Sequence, residues 1–157
     1  MAAEPLRTTR PLPAVLLVED NLDDVILTRR AFKKAGIAAD LVVVEDGEKA
    51  MGYLGGSGAY ADRADYPWPA LVLLDLKLPR ASGFEVLEWI RSIAKLATLP
   101  VVVMTSSTQT EDIDRAYAAG ANSYLEKPVH FQDLEHIVRQ LDLYWLDLNL
   151  PSARAAR

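Results

Sequence analysis

There is no cysteine among the 157 residues. A disulfide framework and thiolate chemistry are therefore both excluded. Histidine is scarce, with only His130 and His136 present, and no segment resembles an ATP site. Basic residues are outnumbered, 17 Lys and Arg against 22 Asp and Glu, for a net charge of -5. That balance does not suit a nucleic-acid surface, which calls for a basic patch. Nor is there an apolar run near the ~20 residues needed to cross a bilayer. Met1 to Pro13 also lacks the apolar core of a secretory leader. The expected location is cytoplasmic, with no membrane contact.

What is present is an ordinary globular balance, half apolar and a quarter charged. Short apolar runs at Ala14–Val18, Leu41–Val44, Ala70–Leu74 and Val101–Met104 read as strands, with a weaker fifth at Ser123–Glu126. The first four lack polar alternation, the pattern of strands buried on both faces. Between them lie amphipathic stretches. Leu22, Val25, Ile26, Arg29 and Phe32 stand at helical spacing, with Asn21 as N-cap and Gly36 as stop. Glu48–Leu54 reads as a second helix, and Phe84, Leu87, Ile90 and Ala94 line a third. Ile113, Ala116 and Tyr117 mark a fourth, and Phe131, Leu134, Ile137, Val138 and Leu141 a fifth. Strand–helix alternation predicts a doubly wound α/β fold, flavodoxin-like (βα)5, with strand order 2-1-3-4-5. The expected organisation is an extension over 1–13, one domain over 14–150 and a flexible tail over 151–157. Gly55–Pro69, rich in Gly, Pro and aromatics, reads as an extended loop, either packed or contacting a partner through Tyr60, Tyr66 or Trp68. Tyr144–Pro151 reads as an extension of the last helix. There Leu141, Trp145 and Leu148 continue the core stripe, while Leu143, Tyr144, Leu146 and Leu150 leave apolar surface.

Ligands of open parallel sheets bind beyond the carboxyl ends of the strands. Glu19 and Asp20 follow the first strand and Asp75 the third. Thr105 and Ser106 close the fourth, and Lys127 follows the fifth. Polar groups from four strand ends thus meet at one rim. Three neighbouring carboxylates repel, and a hard cation with oxygen ligands offsets that, Mg2+ or Mn2+ being suited. Lys127 adds a compact positive charge with three donors. Asp75 then makes sense as a carboxylate nucleophile that accepts a phosphoryl group. Two other classes stay open. A haloacid-dehalogenase-type phosphatase would want an acid two positions after the nucleophile, where Lys77 stands. A nucleotide or flavin module would want glycines or hydroxyls after the first strand, where acids stand.

The runs LLVEDNLDD (16–24), LVLLDLKLPRASGFEVL (71–87), PVVVMTSS (100–107) and AAGANSYLEKPV (118–129) resemble bacterial two-component response-regulator receiver domains. The resemblance covers roughly Ala14 to Leu143. It implies that Asp75 is the phosphorylated aspartate. It implies a metal site at Glu19, Asp20 and Asp75, completed by the main-chain carbonyl of Lys77. Thr105 resembles the switch hydroxyl, Tyr124 the aromatic that changes rotamer with it, and Lys127 the lysine that pairs with the phosphate. The family also implies a cis peptide before Pro128. The loop before the third strand and the YWLDLNLP ending (144–151) resemble single-domain regulators partnered with phytochrome-type histidine kinases. That narrower likeness implies no DNA-binding output domain and a homodimer through the last helix.

Overall fold

In a computed structural model, residues 11–152 are described. The expected extension and tail therefore lie largely outside the described residues. Five strands form one parallel sheet in the order β2-β1-β3-β4-β5: β1 Ala14–Val18, β2 Asp40–Val44, β3 Pro69–Leu74, β4 Val101–Thr105 and β5 Ser123–Glu126. The helices between them are α1 Leu22–Lys34, α2 Gly47–Gly55, α3 Gly83–Ser92, α4 Thr110–Ala118 and α5 Phe131–Leu141. This is the predicted flavodoxin-like arrangement.

Side-chain alternation along the central strands divides the interior into two layers. Leu16, Val18, Val72 and Leu74 face a cluster with Tyr53 and Leu54 of α2 and Val86, Leu87 and Ile90 of α3. Val15, Leu17, Leu71, Leu73, Val102 and Met104 face the opposite way. There they meet Val25, Ala31 and Phe32 of α1 and Leu134, Val138 and Leu141 of α5. Both faces of β1 and β4, and of β3 beyond Ala70, are thereby dry. β2 departs from expectation: only Val44 is fully buried, because an edge strand is covered on one side along its length. α4 is the least anchored helix, burying Ala116 alone, against Phe84, Val103 and Leu76.

Three other local readings change, and one left open is decided. Thr28 joins the buried stripe of α1, while Leu22 and Ile26 are exposed; the helix faces the sheet about one position away from the expected stripe. α2 begins one residue early because Asp46, not recognised as a cap, accepts from the Lys49 amide at 2.7 Å. The Gly55–Pro69 loop is packed: Tyr60, Tyr66 and Trp68 lie against the α2–α3 core. Tyr53, Tyr60 and Tyr66 pack with tilted and edge-to-face rings, centroids 5.1–6.0 Å apart, and the Arg63 guanidinium sits 3.8 Å from the Trp68 ring. Beyond α5 the chain widens into a π-helix over Asp142–Leu148, closed by the Asn149 amide on the Tyr144 carbonyl at 2.6 Å. Bonding from i to i+5 shifts the stripe. Trp145 and Leu146 pack on the core, while Leu148 points out with Leu143, Tyr144 and Leu150.

Candidate functional site

The site sits at the carboxyl ends of β1, β3, β4 and β5, and backbone bonds locate each contributor. The Glu19 amide donates to the Val44 carbonyl at 3.0 Å and the Asp75 amide to the Val18 carbonyl at 3.1 Å, carrying the ladder one residue past each strand. The Lys127 amide donates to the Thr105 carbonyl at 2.8 Å. Register places Leu74 beside Val103 and Thr105 beside Glu126, so Asp75 and Thr105 leave adjacent strand ends. On the far side of Asp75, α3 is started by a capping box between Ser82 and Glu85. The Gly83 amide donates to the Leu76 carbonyl at 2.8 Å, pinning the loop that carries the acceptor. Arg80 in this loop has φ 69. It faces Asp46 and Glu48 of the α2 start at 3.7 and 3.8 Å.

Glu19, Asp75 and Thr105 are buried, whereas Asp20 is exposed at the rim. One carboxylate oxygen from each of Glu19, Asp20 and Asp75 lies within 4.8 Å of the others. Asp75 Oδ1 accepts from the Leu76 amide at 2.7 Å. Its Oδ2 accepts from Lys127 Nζ at 2.9 Å. Lys127 Nζ also contacts Glu19 Oε2 at 2.8 Å and Asp24 Oδ2 at 2.9 Å. Three carboxylates thus surround the ammonium, two of them accepting hydrogen bonds from it. Glu19 Oε1 accepts from the Asn21 amide at 3.0 Å.

Burial pushes the Glu19 carboxyl up to about 7, with the Asp75 charge adding to the shift and the Lys127 ammonium opposing it. Burial pulls Lys127 down, but its contacts with Glu19, Asp24 and Asp75 outweigh that and hold it above the ordinary lysine range. Glu19, Asp20, Asp24 and Asp75 set four carboxylates around the single Lys127 ammonium, so the cluster is net anionic. An all-oxygen, clustered, net-anionic donor set fits a hard divalent cation.

The structure thus unites Glu19, Asp20, Asp75 and Lys127, and sets Thr105 at the neighbouring strand end. Tyr124 stands apart from them: its hydroxyl donates to the Ser107 carbonyl at 2.9 Å. The Lys77 side chain is exposed. Asp24 is the member that sequence reading missed. The signal was there, since it falls one helical turn after Asp20 and just inside the Asn21 cap. The cis peptide before Pro128 is corrected: there is no cis bond among the described residues. The trans form is the intrinsically favoured one, and with it Lys127 already reaches all its carboxylates.

The model of the response regulator receiver domain matches residues 15–139. The chain belongs to the response-regulator receiver family. A receiver is a signalling domain, and phosphoacceptance is the general role of the family. This receiver is 41% identical over 135 residues to the probable methanogenesis regulatory protein FilR2 of Methanothrix harundinacea, covering 86% of this chain and 84% of the relative. It is 36% identical over 146 residues to the response regulator Rcp1 of Synechocystis, covering 92% and 97%. The Mn2+-bound form of Rcp1 superposes with a TM-score of 0.79, over 90% of this chain and 99% of that one. The phosphorylated cyanobacterial phytochrome response regulator RcpA superposes at 0.83, with 35% identity over 90% and 99%. Membership leaves the phosphatase and nucleotide-binding alternatives without support. No helix among the described residues of this receiver is long and apolar enough to cross a membrane.

Proposed function

We propose that this receiver accepts a phosphoryl group on Asp75 from the phosphohistidine of a phytochrome-type sensor kinase, in the cytoplasm, and signals through Thr105 and Tyr124. The observation that carries this reading is the meeting of Asp75 with Glu19, Asp20 and Lys127 at one rim. Glu19, Asp20, Asp75 and the main-chain carbonyl of Lys77 would hold Mg2+. Bound there, the cation would neutralise charge on the phosphoryl oxygens. The Asp75 carboxylate attacks phosphorus in line, an acyl phosphate bond forms, and the bond to the donor imidazole breaks. The Lys127 ammonium passes from the Asp75 carboxylate to a new phosphoryl oxygen, and the Thr105 hydroxyl donates to another. Tyr124 gives up its bond to the Ser107 carbonyl, and α4, the least anchored helix, shifts with it. Catalysis is thus confined to the aspartyl phosphorylation and dephosphorylation of the receiver itself, with residues 14–150 as the working unit.

The test is incubation with a small phosphodonor and Mg2+, followed by intact mass. Wild type gains a phosphoryl group and Asp75→Asn does not; equal labelling of both would remove Asp75 as acceptor. A kinetic screen against sensor kinases should find transfer fastest from a phytochrome-type kinase. Faster transfer from another class would replace that partner.

Leu143, Tyr144, Leu148 and Leu150 are exposed on and just beyond the π-helix, and we assign this apolar surface to a two-fold contact with a second copy. A Leu143→Lys, Leu148→Lys double variant should halve the mass seen by light scattering. It leaves Trp145 and Leu146 on the core, so an unchanged mass would count against the contact rather than against folding.

A further inference from the structure

Asp24 is the one partner of Lys127 with no other task at the site. Glu19 and Asp75 each have other work: one belongs to the metal-binding donors and the other becomes the acyl phosphate. Each must give up or rearrange its bond to the Lys127 ammonium as the reaction proceeds. Asp24 lies on α1, outside the cluster formed by Glu19, Asp20 and Asp75.

Its position is fixed from both sides. The Asp24 amide donates to Asn21 Oδ1 at 3.1 Å, which caps the helix. Its carbonyl accepts from the buried Thr28 hydroxyl at 2.7 Å, which braces the next turn. The carboxylate is therefore presented on a rigid element, 2.9 Å from Lys127 Nζ. Lysine needs such an anchor. Its ammonium rides on a flexible four-carbon stem whose rotamer freedom must be lost to hold it in one place. With Asp24 absent, that ordering would fall on the transfer step, when the other two carboxylates are changing partners.

We propose that Asp24 is a positioning residue for Lys127, holding the ammonium beside the acceptor while Glu19 and Asp75 exchange partners during phosphoryl transfer. The inference rests on the phosphoacceptor reading of Asp75 and names a residue that reading does not require.

The experiment uses the whole chain with a small phosphodonor and Mg2+. Asp24→Ala should slow phosphorylation about tenfold, the scale of one partly exposed charge-assisted hydrogen bond. Asp24→Asn keeps an acceptor oxygen and should stay within about threefold of wild type. In a Lys127→Ala background, Asp24→Ala should change the rate less than about twofold, since the two act as one unit. A merely structural role would give the same loss in both backgrounds. A second readout needs neither metal nor phosphate: proton exchange of the Lys127 ammonium, followed by lysine-selective NMR, should quicken in Asp24→Ala. Equal losses in both backgrounds, or a rate and an exchange unchanged by Asp24→Ala, would overturn the proposal. Wild type that takes no label would instead defeat the phosphoacceptor reading, and the exchange measurement would still decide whether Asp24 holds the lysine.

Discussion

Arg91→Ala is expected to lower the unfolding free energy by about 3 kcal/mol, read from urea denaturation. Arg91 lies at the end of α3, and its guanidinium serves acceptors from three directions. Nε donates to the Gly120 carbonyl at 2.9 Å, Nη1 to the Leu99 carbonyl at 2.7 Å, and Nη2 to Asn122 Oδ1 at 2.9 Å. Weaker bonds reach the carbonyls of Leu96 and Ala97 at 3.3 and 3.2 Å. One side chain thus joins the α3 end, the entry to β4 and the α4–β5 turn. Asn122 Oδ1 also accepts from the Val101 amide at 2.8 Å, so the network reaches into the sheet. Truncation leaves partly buried carbonyls without their donor, and each such loss costs about 1–3 kcal/mol before water compensates at the exposed ones. Arg91→Lys should recover less than half the loss, because a point charge cannot reproduce a planar fork. A loss below about 1 kcal/mol for Arg91→Ala would mean that solvent replaces the fork.

Gly83→Ala is expected to cost about 3 kcal/mol and to slow phosphorylation of Asp75. A Cβ at Gly83 would lie 2.2 Å from the Asp75 carbonyl oxygen and 2.6 Å from the Leu76 Cα. Both are backbone atoms, and the Gly83 amide is bonded to the Leu76 carbonyl, so no rotamer change relieves the contact. The usual gain from replacing glycine in a helix, about 0.4–1 kcal/mol, is outweighed by this clash. The acceptor loop must move instead, and the Asp75 carboxylate moves with it. Gly55→Ala is the control, since its Cβ would meet only the Trp89 ring at 3.7 Å, ordinary contact distance. Equal effects of the two substitutions on phosphorylation would show that the close approach at Gly83 does not govern the acceptor.

The fold was legible because its signals are local and repeated. Unbroken apolar runs such as AVLLV (14–18) and VVVM (101–104) suit strands dry on both faces, and N-caps such as Asn21 mark where helices begin. The errors over helix faces share one cause, in that faces were assigned by ideal periodicity. Leu148 was placed in the core on a 3.6-residue period, but the chain beyond Leu141 runs as a π-helix and packs the half-buried Leu146 against the core instead. Ile26 was placed on the buried face of α1, yet the helix turns Thr28 inward instead. Asp24 was passed over as one acid among several, since its value depends on the distance to a lysine 103 positions away.

Sequence alone determined the order of strands and helices, the family, and which strand ends carry Glu19, Asp20, Asp75, Thr105 and Lys127. These follow from residue types and spacings, which act over a turn or a strand. Only the tertiary structure decided that Lys127 is shared among three carboxylates, that Arg91 ties α3 to the α4–β5 turn, and that Gly83 must lack a side chain. Those facts depend on approaches between chain segments within a few ångströms, and local patterning leaves such distances unspecified until the layers pack.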